Sequence, residues 1–549
     1  MPSRDRPEFC QSTSTSTPYD PCGDPLGEMK SSGQKILRST ALVMGLTLLA
    51  KVSGLLRDIV VASQFGTSQA MDAFFVAVTI ATLMYVWLRD PIQVVLVPFF
   101  TEQLTSRGER AAWENTSVLI NTLLILFLIL TAIGWLISPT LVSLVAPGFT
   151  DEVETLSAEL TKFMMLSLLF YGLARLLSAL FYSYQRFGMP GITTAVDNVA
   201  AIIIIACLAP VLGIYALVMG AVLGAVTQVL VQLPILWKSR SYYRLRLELR
   251  NPTLRRLAWV SFPLLIGTGS AELSRITDRI FASLLPIGSL SALAYGQRLT
   301  YATFFQLFVA SLTTVLFPFF SKSAGLDNYA DLARKLSRSL RLLFWVVFPL
   351  SIGIILLHEP IVRLVYQRGA FSEESVELTS QAVLYYAVGL SGYSLSNILS
   401  FAFYSVRDTK TPVVTGLVRL GVKIFLSFAL VGSMAHAGLA LAESLSFLLK
   451  AALLLILLPK ELRQNEYRKI FQSFGVTVVI TAGMATVVLL SLAYFRGVFE
   501  VSHSFSSTAL ALGAATTLGV GSYLVFSLLL QRTEMRDISR LVRAGFTKS

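Results

Sequence analysis

The chain has few charged residues and almost no cysteine. Asp, Glu, Lys and Arg make up 14% of its 549 residues, whereas about 25% is usual in soluble domains, and 54% are hydrophobic. This balance excludes an ordinary soluble enzyme, because so much apolar surface requires lipid around it. The three cysteines, Cys10, Cys22 and Cys207, have neither the number nor the spacing of a disulfide framework or a zinc site.

Catalytic motifs are also missing from the sequence. It contains no Walker lysine loop, no nucleophile elbow and no His-Glu metal motif. We therefore expect a protein that is not an enzyme, uses no cofactor and does not hydrolyse ATP. Any movement of a substrate must then draw on the membrane potential, an ion gradient or the substrate's own gradient.

Long apolar runs dominate the sequence instead. Runs long enough to cross a bilayer begin near residues 37, 71, 115, 158, 190, 213, 255, 288, 340, 374, 411, 436, 470 and 505. The sequence thus predicts an all-α polytopic membrane protein with about fourteen membrane spans, numbered here in chain order. Residues 1–35 are polar and lack a cleavage site, which favours a disordered cytoplasmic tail over a signal peptide.

Lys and Arg are concentrated in every second connection between spans. The connection Lys238–Arg256 holds seven of them and Lys322–Arg341 holds five, while the intervening connections have almost none. Cytoplasmic loops carry such an excess of cations. The pattern predicts a multi-pass protein with both termini in the cytoplasm, and it explains the net charge of +13 without nucleic acid.

A weak duplication divides the chain into two halves. DIVVAS at Asp58–Ser63 returns as DRIFAS at Asp278–Ser283, and the triplet Pro-Phe-Phe at 98–100 returns at 318–320. Halves related by an even number of spans enter the membrane in the same sense, with the substrate site between them. The predicted organisation is an N-terminal lobe at 36–240, a C-terminal lobe at 241–460, two further spans at 461–531 and a cytoplasmic tail at 532–549.

Several charged residues fall inside the predicted spans, where each costs about 2.5–3.5 kcal/mol. They need either ion-pair partners or a water-filled cavity between the lobes. We predict a cationic cavity that binds an anionic headgroup, since Arg binds phosphate through two parallel hydrogen bonds. The alternative is that some of them form structural ion pairs or reach the lipid headgroups. The predicted cavity cations are Lys51, Arg57, Arg89 and Arg298, and the acidic cavity or gating residues are Asp72, Glu272 and Asp278.

Helical spacing also groups some of these charges. Glu272, Arg275 and Arg279 are three and four residues apart, which puts them on one face of span 7. Arg419 and Lys423 in span 11, with Glu443 and Lys450 in span 12, form either a second polar surface or structural ion pairs.

Four segments resemble the MurJ (MviN) lipid II flippases of the multidrug/oligosaccharidyl-lipid/polysaccharide exporter superfamily. They are SGLLRDIVVASQFGTSQAMDAFFVA at Ser53–Ala77, GQRLTYATFFQLFVASLTTVLFPFFSKSA at Gly296–Ala324, VYQRGAFSEES at Val365–Ser375 and FYSVRDTKTPV at Phe403–Val413. The resemblance implies two six-helix lobes around a cationic cavity, with the last two helices forming a groove for a polyprenyl tail. It also implies flipping of lipid II, undecaprenyl-diphosphate bearing the peptidoglycan precursor, across the bacterial inner membrane by alternating access.

The family's cavity residues correspond to Arg57, Asp72, Arg89 and Arg298, and Lys51 stands where the family has another arginine. The chain departs from the family after Arg89, where it reads Asp-Pro-Ile-Gln instead of a Glu-Gly-Ala-Phe type sequence. Other readings are a flippase of a different polyprenyl-linked polysaccharide, a drug exporter, or a scaffold that binds cell-wall synthesis proteins. An exporter of cationic drugs would favour an acidic cavity, and a scaffold has no need of buried charge.

Overall fold

The computed structural model describes residues 25–238, 242–247, 252–310, 329–459, 462, 466–495 and 505–531. Within these residues the chain is helical and has no β-strand. The helices are α1 (Pro25–Phe65), α2 (Gln69–Leu136), α3 (Ser138–Val145), α4 (Asp151–Ser183), α5 (Gly188–Leu212), α6 (Tyr215–Lys238), α7 (Pro252–Ser283), α8 (Ser289–Gln297), a π-helical segment (Arg298–Ala310), α9 (Tyr329–Tyr366), α10 (Glu373–Ser405), α11 (Lys410–Ile456), α12 (Glu466–Tyr494) and α13 (Phe505–Leu530).

This architecture confirms the predicted all-α membrane fold. A helix satisfies its own backbone hydrogen bonds, which lipid cannot do for an isolated strand. Among the described residues, eight helices are long and apolar enough to cross a membrane. The number of fourteen spans stays a prediction, as do the boundaries of the lobes. The repeat at 318–320 and the tail at 532–549 lie outside the described residues, and α1 begins at Pro25, inside the predicted N-terminal tail.

Two of the longest helices are interrupted where the sequence predicts separate spans. In α2, Gly108 has a φ of 81°, and in α11, Ala435 has a φ of 47°. Both values lie in the left-handed region, which ends a right-handed helix locally. The interruptions fall close to the predicted starts of span 3 at 115 and span 12 at 436, so each of these helices contains two predicted spans.

The last two helices pack together and against α9. Buried side chains of α12 and α13 form a small apolar cluster with Leu357 of α9. Two hydrogen bonds hold α13 in place: the Tyr523 hydroxyl donates to the Trp345 carbonyl at 2.7 Å, and the Trp345 indole donates to Ser527 at 3.1 Å. The other sides of these helices expose large apolar residues, among them Phe471, Leu490, Leu510 and Leu529.

Candidate functional site

The two sequence-related halves meet at a shared carboxylate. Arg57 and Asp58 are consecutive in α1, and Arg298 opens the π-helical segment of the C-terminal half. Arg298 Nη1 donates to Asp58 Oδ1 at 2.7 Å, and Arg57 Nη2 lies 3.5 Å from the same oxygen. The arginine side chains are 28% and 31% exposed, respectively. Two guanidinium groups from opposite halves therefore converge on one point and remain accessible.

Phe75 of α2 contacts Arg298 and a further arginine, Arg279 of α7. The Arg298 guanidinium lies 4.9 Å from the centre of the Phe75 ring, and the Arg279 guanidinium lies 5.9 Å from it. Arg279 also donates to the Thr79 hydroxyl at 3.1 Å. A cation over an aromatic face contributes about 0.5–2 kcal/mol. The N-terminal half thus holds two arginines of the C-terminal half in place without neutralising them.

Two cavities adjoin the arginines. The first, here called the N-side cavity because all but one of its lining residues belong to the N-terminal half, has a volume of about 210 Å³. Its lining includes Arg57, Tyr171, Asp197 and Arg298. The C-side cavity has a volume of about 420 Å³, and its polar lining includes Glu272, Arg275, Arg279, Arg298, Arg419 and Glu443. Because Arg298 lines both, it stands between them. Arg57 lines the N-side cavity and Glu272 lines the C-side cavity, and a role for these residues and Arg298 in binding stays a prediction.

The predicted common face of span 7 is confirmed. Glu272, Arg275 and Arg279 all line the C-side cavity. Arg275 Nη1 donates to both carboxylate oxygens of Glu272, at 2.8 and 2.9 Å. The Arg275 side chain is 46% exposed while that of Glu272 is 7% exposed, so the cation faces the opening and the carboxylate lies behind it.

Asp278 does not line either of the two cavities, and its predicted cavity or gating role stays a prediction. It follows Glu272 by six residues, which turns it to the other side of α7. There its carboxylate pairs with Lys423 at 2.9 Å. The Lys423 ammonium is fully buried and also contacts Glu443 at 2.9 Å and the Ser274 hydroxyl at 2.6 Å. For Lys423 the structure therefore favours the structural ion pair over a second polar surface.

Asp72 also lies outside the two cavities. Its carboxylate accepts hydrogen bonds from the backbone N–H groups of Gly288 at 2.8 Å and Ser291 at 2.7 Å. These groups open α8, and a carboxylate there satisfies unpaired donors and interacts well with the helix dipole. The predicted cavity residue is thus a cap that joins the two halves, and its part in gating stays a prediction.

The other two predicted cations, Lys51 and Arg89, do not line either of the two cavities. Lys51 is half-buried in α1, six residues before Arg57. Six residues span about 9 Å and turn the side chain to a different face. Arg89 is half-buried far along α2, where its carbonyl accepts a 3.2 Å hydrogen bond from Arg175. Their part in binding a headgroup stays a prediction.

One end of the junction between the halves is closed by related contacts. The N–H of Gly148, after α3, donates to the Ser283 hydroxyl at the end of α7, at 3.1 Å. Next to Gly369, after α9, the N–H of Ala370 donates to the Ser63 carbonyl at 2.8 Å, near the end of α1. Ser63 and Ser283 occupy the same position of the sequence repeat. Each half therefore places a glycine loop against the first helix of the other half.

This arrangement can be compared with known proteins. A family model described as "Lipid II flippase MurJ" matches residues 61–510. The chain belongs to the MurJ family. Curated MurJ relatives match along most of its length: a lipid II flippase of Burkholderia cenocepacia is 30% identical over 77% of this chain and 84% of its own. A probable lipid II flippase of Vibrio cholerae is 29% identical over 90% of this chain and 96% of its own.

Solved structures agree on the fold. The structure of a lipid II flippase MurJ in an inward closed conformation has a TM-score of 0.74 at 21% identity, covering 90% of this chain and 99% of that one. An inward-facing multidrug resistance MATE family transporter of the MOP superfamily has a TM-score of 0.62 at 14% identity, covering 79% and 98%. The MurJ fold is therefore shared with transporters of another class. The resemblance inferred from the four sequence segments is confirmed.

The sequence did not single out Asp58 or Asp197 as site residues, although both are buried beside Arg57. Asp58 was visible as part of the internal repeat. Asp197 is a lone carboxylate within an apolar predicted span. An ionisable residue inside a membrane helix generally indicates a functional site. That signal was present in the sequence before the structure.

Proposed function

We propose that the chain flips lipid II from the inner to the outer leaflet of the bacterial cytoplasmic membrane by alternating access. Membership of the MurJ family supports this, together with the relatives named lipid II flippases. The observation that carries the proposal is the convergence of Arg57 and Arg298, one from each half, on the single carboxylate of Asp58. Such a pair suits a diphosphate, whose two phosphates can engage two guanidinium groups at once.

Binding at this pair links the substrate to the position of the halves. Each hydrogen bond to a charged group contributes about 1.5–3 kcal/mol, and a diphosphate competes with Asp58 for both arginines. When the phosphates replace Asp58, the 2.7 Å link between Arg298 and Asp58 is lost. A ligand that changes a contact between halves in this way favours one arrangement of them over the other.

The closed end of the junction fits the external side of the membrane in this proposal. The contact between Gly148 and Ser283 lies at that end. The two strongly basic connections are Lys238–Arg256, after α6, and Lys322–Arg341, which leads into α9. In this proposal they belong to the opposite end, on the cytoplasmic side. Both termini then lie in the cytoplasm, and lipid II enters from there. The membrane potential or an ion gradient supplies the driving force.

The apolar surfaces of α12 and α13 fit the polyprenyl tail in the same scheme. Lipid chains bind apolar helix surfaces without a specific hydrogen-bond pattern, and these helices expose Phe471 and Leu490 on α12 and Leu510 and Leu529 on α13. The tail then remains in the bilayer while the polar headgroup passes between the halves.

Complementation tests the proposal. The gene is expressed in a bacterial strain depleted of its own lipid II flippase, and the lipid II exposed on each side of the membrane is measured. We expect growth and external lipid II with the native chain, and loss of both with Arg57→Ala or Arg298→Ala at equal membrane abundance. Arg110→Ala, at an exposed position in α2, is the matched control.

Two results contradict the proposal. Failure of the well-expressed native chain to restore external lipid II would point to a different polyprenyl-linked glycan. Full growth with both cavity arginines replaced would point to a scaffold that does not use them.

A further inference from the structure

A buried carboxylate in the N-side cavity has only long hydrogen bonds and, among the described residues, no ion pair. Asp197 of α5 is 6% exposed and lines the N-side cavity together with Arg57. Its hydrogen bonds are long: the Tyr171 hydroxyl lies 3.5 Å from both carboxylate oxygens, and the Gln228 amide lies 3.4 Å from one. Within the described part of the chain it forms no ion pair. Asp58, in contrast, is held by two arginines.

The surroundings of Asp197 come from four helices. From α1 it faces Arg57, which interacts with it electrostatically and is itself paired with Asp58 at 3.5 Å. From α4 it faces Tyr171, which Tyr85 of α2 approaches from behind. From α6 it faces the Gln228 amide and the backbone of Gly224, where a Cβ atom would touch Asp197 Oδ1. The carboxylate is therefore fixed beside one cation that it shares with Asp58.

The four charged side chains at this junction balance. Arg57 and Arg298 carry positive charges, and Asp58 and Asp197 carry negative charges when ionised. An anionic headgroup on Arg57 adds negative charge and takes away the cation that faces Asp197. A buried carboxylate that loses its compensating cation is strongly disfavoured, and it responds by binding a proton.

We propose that Asp197 takes up a proton when an anionic headgroup binds at Arg57 and releases it when the headgroup leaves. This inference rests on the proposed function, because it takes the headgroup to be a diphosphate bound at Arg57. Asp197 is the acceptor that the geometry favours, because it is buried and, among the described residues, has only hydrogen bonds of 3.4–3.5 Å and no ion pair even before the headgroup binds. Headgroup affinity therefore depends on pH through a residue that does not itself hold the phosphates.

Calorimetry on the full-length protein in lipid nanodiscs tests the proposal. The probe is a lipid II analogue with a short prenyl chain, titrated near pH 7 in two buffers with different heats of ionisation. The difference between the two heats gives the number of protons taken up. At a pH where Asp197 is fully ionised in the free protein and fully protonated in the complex, we expect uptake of about one proton per bound analogue. In that range the affinity should fall about tenfold for each unit of rising pH.

Variants separate Asp197 from other proton acceptors. Asp197→Asn resembles the protonated state, so we expect no proton uptake and an affinity that stays high as the pH rises. Asp197→Glu keeps a titratable group and retains the uptake, which guards against a folding defect in the amide variant. Asp151→Asn, exposed at the start of α4, behaves as the native chain.

Four results overturn the inference. Binding by the native chain without proton uptake contradicts it and leaves the proposed function standing. The same is true of undiminished uptake in folded Asp197→Asn, or of affinity that depends on Na⁺ instead of pH. Absence of any binding of the analogue contradicts the proposed function as well.

Discussion

The guanidinium of Arg298 donates a 2.7 Å hydrogen bond to the carboxylate of Asp58, and this bond joins the two halves of the chain. In the repeat of the C-terminal half, the residue equivalent to Asp58 is Asp278, which pairs with Lys423 inside its own half. Both aspartates are buried and both bind a cation. Of the two, only Asp58 binds cations that line a cavity. The equivalent positions of the repeat therefore differ: Asp58 lies at the junction of the halves, and Asp278 lies in the interior of its own half.

Asp58→Asn removes the anion that competes with a phosphate for Arg57 and Arg298. We expect about tenfold tighter binding of a lipid II analogue, corresponding to about 1.4 kcal/mol, and slower flipping because release becomes harder. Binding and flipping are measured on the same nanodisc and liposome preparations, with Asp331→Asn at a surface ion pair as the control. Weaker binding by Asp58→Asn would show that Asp58 positions the arginines and does not compete with the ligand.

Lys423→Met removes the only cation within 4.0 Å of Asp278 among the described residues. The methionine keeps the length of the side chain but leaves buried carboxylates facing each other, so we expect a loss of about 3–5 kcal/mol of stability. The measurement is the thermal unfolding midpoint in detergent. Lys335→Met, at a more exposed pair with Asp331, should change stability by less than about 1 kcal/mol. An equal effect of the two substitutions would contradict the structural role of Lys423.

Gly148→Ala places a methyl group where the backbone of Ser283 already lies, at 2.5 Å from its carbonyl oxygen. The closed end of the junction must then open, since the obstacle is backbone and cannot rotate away. We expect faster thiol labelling of a cysteine introduced at Ser375, which lies 2.8 Å from Thr67 across the junction. Gly353→Ala, with open space around it, is the control. Unchanged labelling in a folded Gly148→Ala protein would show that this contact does not hold the end closed.

Asp72→Ala removes two hydrogen bonds from the start of α8, at 2.8 and 2.7 Å. Loss of such a cap costs about 0.5–2 kcal/mol, and Asp72→Asn should cost less because its amide oxygen still accepts one bond. The thermal unfolding midpoint orders the three proteins. If Asp72→Asn were as impaired as Asp72→Ala in flipping while equally stable as the native chain, the charge of Asp72 would act in transport and not only as a cap.

The sequence predicted the helical class, the family and the shared face of Glu272, Arg275 and Arg279, because these follow from composition, local motifs and helical periodicity. It did not show that Asp278 pairs with Lys423, because this partner is 145 residues away along the chain. The same reason applies to Asp72, whose partners lie 216 and 219 residues away. Contacts between distant helices are set by packing, which a single sequence does not show.

Interruptions within helices were predicted better than contacts between them. Gly108 in α2 and Ala435 in α11 break the helix near predicted span starts, because the apolar runs themselves end there. The short helix α3 and the π-helical segment that begins at Arg298 were not predicted, since neither has a hydrophobic run of its own to mark it.

In the proposed mechanism, Arg57 and Arg298 together carry the headgroup through the junction. Its most direct test is the rate at which fluorescent lipid II is flipped in liposomes containing the native chain, Arg57→Ala, Arg298→Ala or the exposed control Arg110→Ala at equal protein density. We predict that each cavity substitution slows flipping at least about tenfold, because it removes one hydrogen bond to a charged group. The control should flip at the native rate. Native flipping by a protein that lacks both cavity arginines would contradict the account.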